Sequence, residues 1–459
     1  MHPLSYWQDQ KKLRRIFFFR RYMVASRELK PGEEIVTEMP FIVGPKAFTY
    51  PLCLSCYASW PPTLKDKPLC SKCSWPVCGP ECENQPQHKD YECPVFVQAK
   101  EKFNIAAALE QNNENGIPQL ECITPLRLLL ESLKNPERWE KEVKSMEAHN
   151  KIRIQKPHWK SDHVNVVEYI RKQLKLDKFS EEEIQTACGI LEINTFEIRT
   201  SKGFSARALY PTVAMMNHSC VSNTCHSISP SDYRVPEGGE LYGSYTHSLF
   251  PTMLRREHLL EGKHFACACP RCSDPTELGT HMSSLKCNKC DNGIVLPLDS
   301  LDENSIWKCT HCEFTTPGSA VKKVFQIIHA NIMMVKKNLL HIRHSLTQMY
   351  GRVDEYLLDD LPVVVLEHKV DMCRLLLQVL DVIEPGYSRI RGKNVYLYYV
   401  YTAGTIDQAG LKSKMIEASI ILKEAATILT LEPTDTPEGQ IGIVAKQSLE
   451  QLEQSIQEL

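Results

Sequence analysis

Sixteen residues with metal-ligand chemistry stand at paired spacings in this chain, and nothing else in the sequence limits its fold so severely. Cys53-x2-Cys56, Cys70-x2-Cys73, Cys78-x3-Cys82 and His88-x4-Cys93 place eight of them within 41 residues. Cys267-x-Cys269-x2-Cys272 offers three thiolates and lacks a fourth, which Cys220, about fifty residues upstream, can supply. Cys287-x2-Cys290 and Cys309-x2-Cys312, separated by 18 residues, make the last set. Fifteen Cys and one His are enough for four closed tetrahedral zinc sites. Redox motifs or coincidence are the plainer explanations, and the repetition of C-x2-C pairs weighs against both. Cys122, Cys188, Cys225 and Cys373 remain, and they suit the role of small buried hydrophobes. The stretch from Cys53 to Cys93 is too short for a useful apolar core, so metal must supply most of its folding energy. An alternating pairing (Cys53, Cys56, Cys78 and Cys82 on one ion; Cys70, Cys73, His88 and Cys93 on the other) and a sequential one are both compatible with the spacing.

At 459 residues the chain has room for two to four domains. Its 54 Lys and Arg nearly balance 56 Asp and Glu, which argues against a whole-protein nucleic-acid footprint. No apolar run approaches the ~20 residues of a membrane span, and the N-terminus lacks a signal-peptide apolar region. The expectation is a soluble, intracellular protein of cytoplasm or nucleus, where thiols stay reduced and cysteines serve metal rather than disulfides.

Residues 1–22 are basic and aromatic, with Lys11-Lys12-Leu13-Arg14-Arg15 and Phe17-Phe18-Phe19. The basic run suits a nuclear signal or, more plainly, a solvated face. Met23 onward reads as strand, Pro31-Gly32 turn and strand, and Phe41 begins a third strand. From about Ala99 to Ile184 the pattern is helical, with amphipathic stretches from Pro125 and over Val164–Leu176. Ser180 reads as the N-cap of a helix running through Asn194 to Ile198, with acidic residues in its first turn. An apolar run then ends abruptly at Asn217-His218-Ser219-Cys220, followed by a short strand at Cys225–Ser229, a Ser229–Asp232 turn and Pro236-Glu-Gly-Gly-Glu-Leu-Tyr-Gly-Ser-Tyr245. After residue 320, Val321–Met349, Leu361–Ile383, Asn394–Ala409, Lys412–Leu429 and Ile441–Leu459 read as antiparallel helices of tetratricopeptide type, broken at Pro385-Gly386 and Pro433.

The Asn-His-Ser-Cys loop, the Gly-Glu-Leu…Tyr strand end and the Cys-x-Cys-x2-Cys tail together resemble the SET domain of protein-lysine methyltransferases. The Cys53–Cys93 module lacks the Cys-x-His core of a ubiquitin-ligase RING and resembles a MYND finger. The order is that of the SET-and-MYND-domain (SMYD) family, and the additional Cys287–Cys312 site is similar to its arthropod branch. The resemblance implies an α+β multidomain fold: an atypical N-terminus (1–22), the first part of SET (23–52), the MYND finger (53–93), a helical insert (94–184), the SET core (185–262), a post-SET region with an additional zinc site (263–319) and a C-terminal helical domain (320–459). It implies four zinc ions, S-adenosylmethionine as methyl donor and in-line transfer to a neutral lysine amine of a histone or other protein. Asn217 and His218 would contact the cofactor, Glu192 and Asn194 would line its pocket, Phe265 would cover the adenine, and Tyr245 would stand at the transfer axis.

Three places depart from the family pattern. Arg20-Arg21-Tyr22-Met23 replaces a Gly-x-Gly-Leu strand, and a side chain at positive φ there costs ~1–2 kcal/mol. The change fits an alternative, spliced N-terminus on a common body. Lys263 stands where many members carry tyrosine. An ammonium ~4 Å from a sulfonium repels it by about 4 kcal/mol at an effective dielectric of 20, so binding would need Lys263 neutral or turned outward, the easier course for a long side chain. Only Tyr233-Arg234-Val235 separates the Ser229–Asp232 turn from Pro236, leaving a shortened hairpin and a partly unpaired strand. The second reading, from these departures, is a SET scaffold with weak or no transfer, whose finger and helical domain bind proline-containing peptides or other partners. A nucleic-acid-binding zinc protein is disfavoured by the charge balance.

Overall fold

The computed structural model describes residues 22–24, 35–47, 49, 51–58, 68–104, 118–200, 203–224, 227–228, 233–234, 241–328, 330, 363–404, 411–434 and 436–458. Most of the basic-aromatic N-terminus, Arg20 and Arg21 with it, the Pro31-Gly32 turn, the Ser229–Asp232 turn and most of the helix expected over 321–349 lie outside them. The chain forms two compact units, one of residues 1–217 with 226–241, the other of residues 218–225 with 242–459.

The first unit is built on a three-stranded antiparallel sheet in the order β1 (Ile42–Pro45), β3 (Gly203–Leu209), β2 (Thr195–Thr200). Ile42 and Thr195 both stand opposite Leu209, so β3 is the central strand. Helix α1 (Ile123–Lys134) lies against β1. Its approach is close because Gly44 has no side chain: a Cβ there would collide with the Thr124 hydroxyl. That hydroxyl donates to the Pro45 carbonyl at 2.6 Å. A β-branched side chain at 44 would therefore separate strand from helix.

Helix α2 (Glu181–Asn194) starts as its sequence indicates. Ser180 accepts from the Glu183 N–H at 3.2 Å, and the Glu183 carboxylate accepts from the Ser180 N–H at 2.8 Å, a reciprocal capping box. Ile184, Ala187, Cys188 and Leu191 recur at helical spacing and are buried. The helix stops at Asn194, four residues before the end expected from sequence. Thr195, Phe196 and Ile198 instead pair with Leu209, Ala208 and Ala206. Ladder hydrogen bonds and a β-branched, aromatic composition win there over continued helical pattern. The amphipathic stretch near 164–176 is helical, with wide π-type turns over His163–Gln173. Among the described residues, Ser227–Ile228 pair with Tyr233–Arg234.

In the second unit, helix α3 (Thr252–Lys263) precedes the Cys267–Cys272 cluster. A four-stranded antiparallel sheet follows, ordered β7 (Thr315–Pro317), β6 (Ile306–Cys309), β5 (Ile294–Pro297), β4 (Leu285–Lys286). Val295, Trp307 and Cys309 pack with Val321 and Phe325 under it. The C-terminal part consists of α4 (Val363–Ile383), α5 (Arg389–Ala403), α6 (Leu411–Leu429) and α7 (Pro437–Glu458), each packed on the next. No helix among the described residues is long and apolar enough to cross a membrane.

Replacing Gly44 by Val is expected to lower stability by about 2–3 kcal/mol through overpacking against Thr124. The shift in urea midpoint at unchanged slope measures it, and an unshifted midpoint would refute the close-contact account.

Candidate metal centres and cofactor site

The structure gathers the sixteen ligands into four groups, within each of which the ligand atoms lie within 4.8 Å of one another. Between the two pairings left open by spacing, it takes the alternating one: Cys53, Cys56, Cys78 and Cys82 form one group, and Cys70, Cys73, His88 and Cys93 the other. Cys220 joins Cys267, Cys269 and Cys272, and Cys287, Cys290, Cys309 and Cys312 form the last group. Four sulfurs bound at 2.3 Å around a tetrahedral ion stand ~3.8 Å apart. Observed Sγ–Sγ separations are 3.5 Å for Cys56–Cys78, 3.8 Å for Cys70–Cys93, 3.5 Å for Cys220–Cys272 and 3.7 Å for both Cys287–Cys312 and Cys290–Cys309. Donor chemistry and spacing both fit zinc.

Local structure explains each group. Three short helices, Pro80–Glu83, Pro86–Lys89 and Glu92–Ala99, carry Cys82, His88 and Cys93, the first two helices opening on proline. Trp75 stacks on Phe96, three residues beyond the last ligand, with ring centroids 3.9 Å apart and both fully buried, so an aromatic pair joins the finger to the helix that runs on from Cys93. The Cys70 group is buried at all four positions, whereas Cys78 of the Cys53 group is exposed. In the last group Gly293 leaves room for the sulfurs, because a Cβ there would collide with those of Cys290 and Cys309.

Behind His88 lies a chain of charges that spacing does not reveal. His88 Nδ1 is 2.8 Å from Glu92, leaving Nε2, 3.5 Å from Cys73 Sγ, to face the thiolates. Arg127, from α1, donates to both Glu92 oxygens at 2.8 and 2.6 Å, to the carbonyls of Val43 and Leu54 and to the Tyr57 hydroxyl. His88, Glu92 and Arg127 are all at most 1% exposed. Burial opposes ionisation of Glu92, and Arg127 with His88 outweighs it, holding the carboxyl below its ordinary range.

The Cys220 group has its own buried cation. Arg255 Nε donates to Cys220 Sγ at 3.3 Å and Nη2 to Cys272 Sγ at 3.6 Å, while Nη1 reaches Glu277 at 2.7 Å. Arg271 donates to the same carboxylate at 2.9 Å. Burial would push Glu277 up, and the two guanidiniums hold it below its ordinary range instead.

The residues assigned to the cofactor by resemblance are distributed over both units. In the first, both Glu192 oxygens are engaged: one is 2.7 Å from Arg153, the other 3.3 Å from His158 Nε2. The Asn194 side-chain amide donates to the Ile190 and Glu147 carbonyls at 2.9 and 3.0 Å. These are ordinary helix-end and ion-pair roles. The turn before Asn217 is anchored by Glu38, whose carboxylate accepts from the Thr212 and Val213 N–H groups at 2.9–3.0 Å. Burial is the strongest influence on Glu38 and keeps its carboxyl above the ordinary range.

In the second unit, His218, Tyr245 and Phe265 converge. The His218 ring lies 5.3 Å from Tyr245 and 5.8 Å from Phe265, centroid to centroid. The Tyr245 N–H donates to His218 Nδ1 at 3.0 Å, and the Ser219 N–H to the Gly243 carbonyl at 3.1 Å. This half-buried set of aromatic faces suits an adenosyl sulfonium, since rings favour both stacking and nearby cations. The Lys263 Nζ lies 5.8 Å from the Tyr245 ring centroid. Lys263 is the last residue of α3, and an ammonium gains from an aromatic face while its stem covers apolar surface.

Exchanging Glu92 for Gln is expected to weaken zinc at the His88 site by about 10–100-fold, as loss of a ligand's hydrogen-bond partner commonly does. Competition with a chromogenic chelator measures this, and the other three sites should be unchanged. Cys220→Ser should lower bound zinc by one equivalent in elemental analysis. Retention of all four would refute the shared site.

No protein-family profile matches the chain. Among curated proteins, it is 30% identical over 322 residues to SET domain-containing protein SmydA-8, isoform B, of Drosophila melanogaster, covering 66% of each chain. It is 26% identical over 214 residues to the N-lysine methyltransferase SMYD2 of Mus musculus, covering 44% of this chain and 47% of the relative. A SET and MYND domain-containing protein of Dictyostelium discoideum matches at 24% over 314 residues, or 55% of this chain and 79% of the relative. The match to SmydA-8 thus spans just under two thirds of that relative's length. With the four Cys/His groups and the mixed fold, these likenesses show that the chain belongs to the SET- and MYND-domain (SMYD) family.

Proposed function

We propose that this chain is a protein-lysine N-methyltransferase that uses S-adenosylmethionine and holds four structural zinc ions. The observation that carries the reading is the meeting of His218, Tyr245 and Phe265 beside the Cys220 group. The name of the SMYD2 relative supports the same class of reaction.

Within this reading S-adenosylmethionine supplies an electrophilic methyl group on a sulfonium. The substrate lysine must arrive neutral, losing its proton before the N–C bond forms as the S–C bond breaks. With a reference pKa of ~10.4 it needs surroundings that disfavour the ammonium. The chain contributes alignment rather than a covalent intermediate. His218 is fixed by the Tyr245 N–H on Nδ1, so its ring plane is set before any ligand arrives. Tyr245 would orient the methyl or the amine through its hydroxyl, and Phe265 would cover the adenine. The thiolates of Cys220, Cys267, Cys269 and Cys272 would hold the zinc that ties this loop down. Asn217, Glu192 and Asn194 are carried as cofactor contacts on the family resemblance alone. Protein substrates are the partners this activity needs, and proline-containing peptides are proposed for the finger.

Calorimetric titration of zinc-replete protein with S-adenosylmethionine tests the reading. Saturable binding is expected, and no heat at millimolar ligand would sink it. Tyr245→Phe should lower transfer of tritiated methyl to histones or cell extract by about 100-fold, the size of losing one positioned hydrogen-bonding group, while binding stays within twofold. Equal loss of binding and transfer would assign Tyr245 to the fold instead.

A further inference from the structure

The ammonium of Lys263 lies over the Tyr245 ring, a place that aromatic sites offer to a ligand's positive charge. The chain has thus put its own cation there. Its position is set by the scaffold. Lys263 ends α3, the next residue, His264, takes the left-handed conformation at φ 58°, and Phe265 then meets His218. The helix is anchored upstream by fully buried Leu259 and by Arg255 on the thiolates of Cys220 and Cys272. A helix C-terminus also favours a cation on its last turn.

The same helix carries acidic groups, Glu257 and Glu261, as well as basic ones. His258 is held below its ordinary range by burial, with His247 and Lys263 adding to the effect and Glu261 opposing it. A sulfonium brought to the Tyr245 ring meets the Lys263 ammonium unfavourably, and an uncharged thioether of the same shape does not.

We propose that Lys263 is a specificity-determining residue that makes the Tyr245 site prefer a neutral adenosyl thioether over the corresponding sulfonium. The inference rests on the reading of His218, Tyr245 and Phe265 as the adenosyl site. It places the chain's charge selectivity in one side chain and makes S-adenosylhomocysteine, the product form, the better ligand.

The test is calorimetry of the full, zinc-loaded chain with S-adenosylmethionine and with S-adenosylhomocysteine, at low and high salt. Lys263→Met should tighten S-adenosylmethionine roughly tenfold and leave S-adenosylhomocysteine within twofold. Lys263→Arg, which keeps the charge, should keep the wild-type preference. Salt should raise the sulfonium's affinity for the wild type, because screening weakens repulsion, and should do so less for Lys263→Met. Equal changes for both ligands, or an unchanged sulfonium affinity, would overturn the charge role while leaving the adenosyl site standing. Failure of both ligands to bind either protein would remove the site itself and the inference with it.

Discussion

The first unit depends on one guanidinium. Arg127 enters from α1 and joins the carbonyl of Val43, on β1, to Leu54, Tyr57 and Glu92 around the first two cysteine groups. A buried ion pair is weak grounds for net stability, because desolvation costs several kcal/mol per ion. What it provides is dependence: the imidazole of His88 is oriented by Glu92, and Glu92 stays ionised because Arg127 is there. Strand, helix insert and finger are thereby tied to the same polar group.

The second unit repeats the device around Cys220. A tetrathiolate zinc site carries two net negative charges, and Arg255 sits fully buried against two of the sulfurs. Glu277 then compensates Arg255 and Arg271, so the layer beyond the thiolates is closed by alternating charge. In both units the supporting network includes an arginine 35 residues from a group it holds, Arg127 from Glu92 and Arg255 from Cys220.

That distance explains what could be read from the sequence. Thiolate spacing is local and chemically restricted, so the sixteen ligands and the membership of the Cys220 and Cys287 sets were legible, and the described C-terminal helices followed from their period. The alternating pairing in the finger was not, since spacing allows two arrangements and only the fold selects one. Arg127 was written into an amphipathic helix, Pro125-Leu-Arg-Leu-Leu-Leu, where a charge within an apolar run was the available sign of a buried partner. Glu38 gave no local sign, because its partners are Thr212 and Val213. The end of α2 was misjudged because Thr195, Phe196 and Ile198 suit a helix face and a strand equally until β3 is beside them. The nearness of Lys263 to the Tyr245 ring gave no local sign either, because the two lie 18 residues apart.

The unequal burial of the finger's two ligand groups has a kinetic consequence. A chelator must reach a sulfur before it can take the ion, and only the Cys53 group presents an exposed one, Cys78. Metal should therefore leave the finger in a fixed order, the Cys53 ion exchanging with solution while the His88 ion waits for the surrounding helices to open. The half-emptied finger would keep Trp75 stacked on Phe96 and Arg127 in place. Its intermediate is a loosened loop on an intact base, so the finger behaves as two folding units despite its cross-braced ligands.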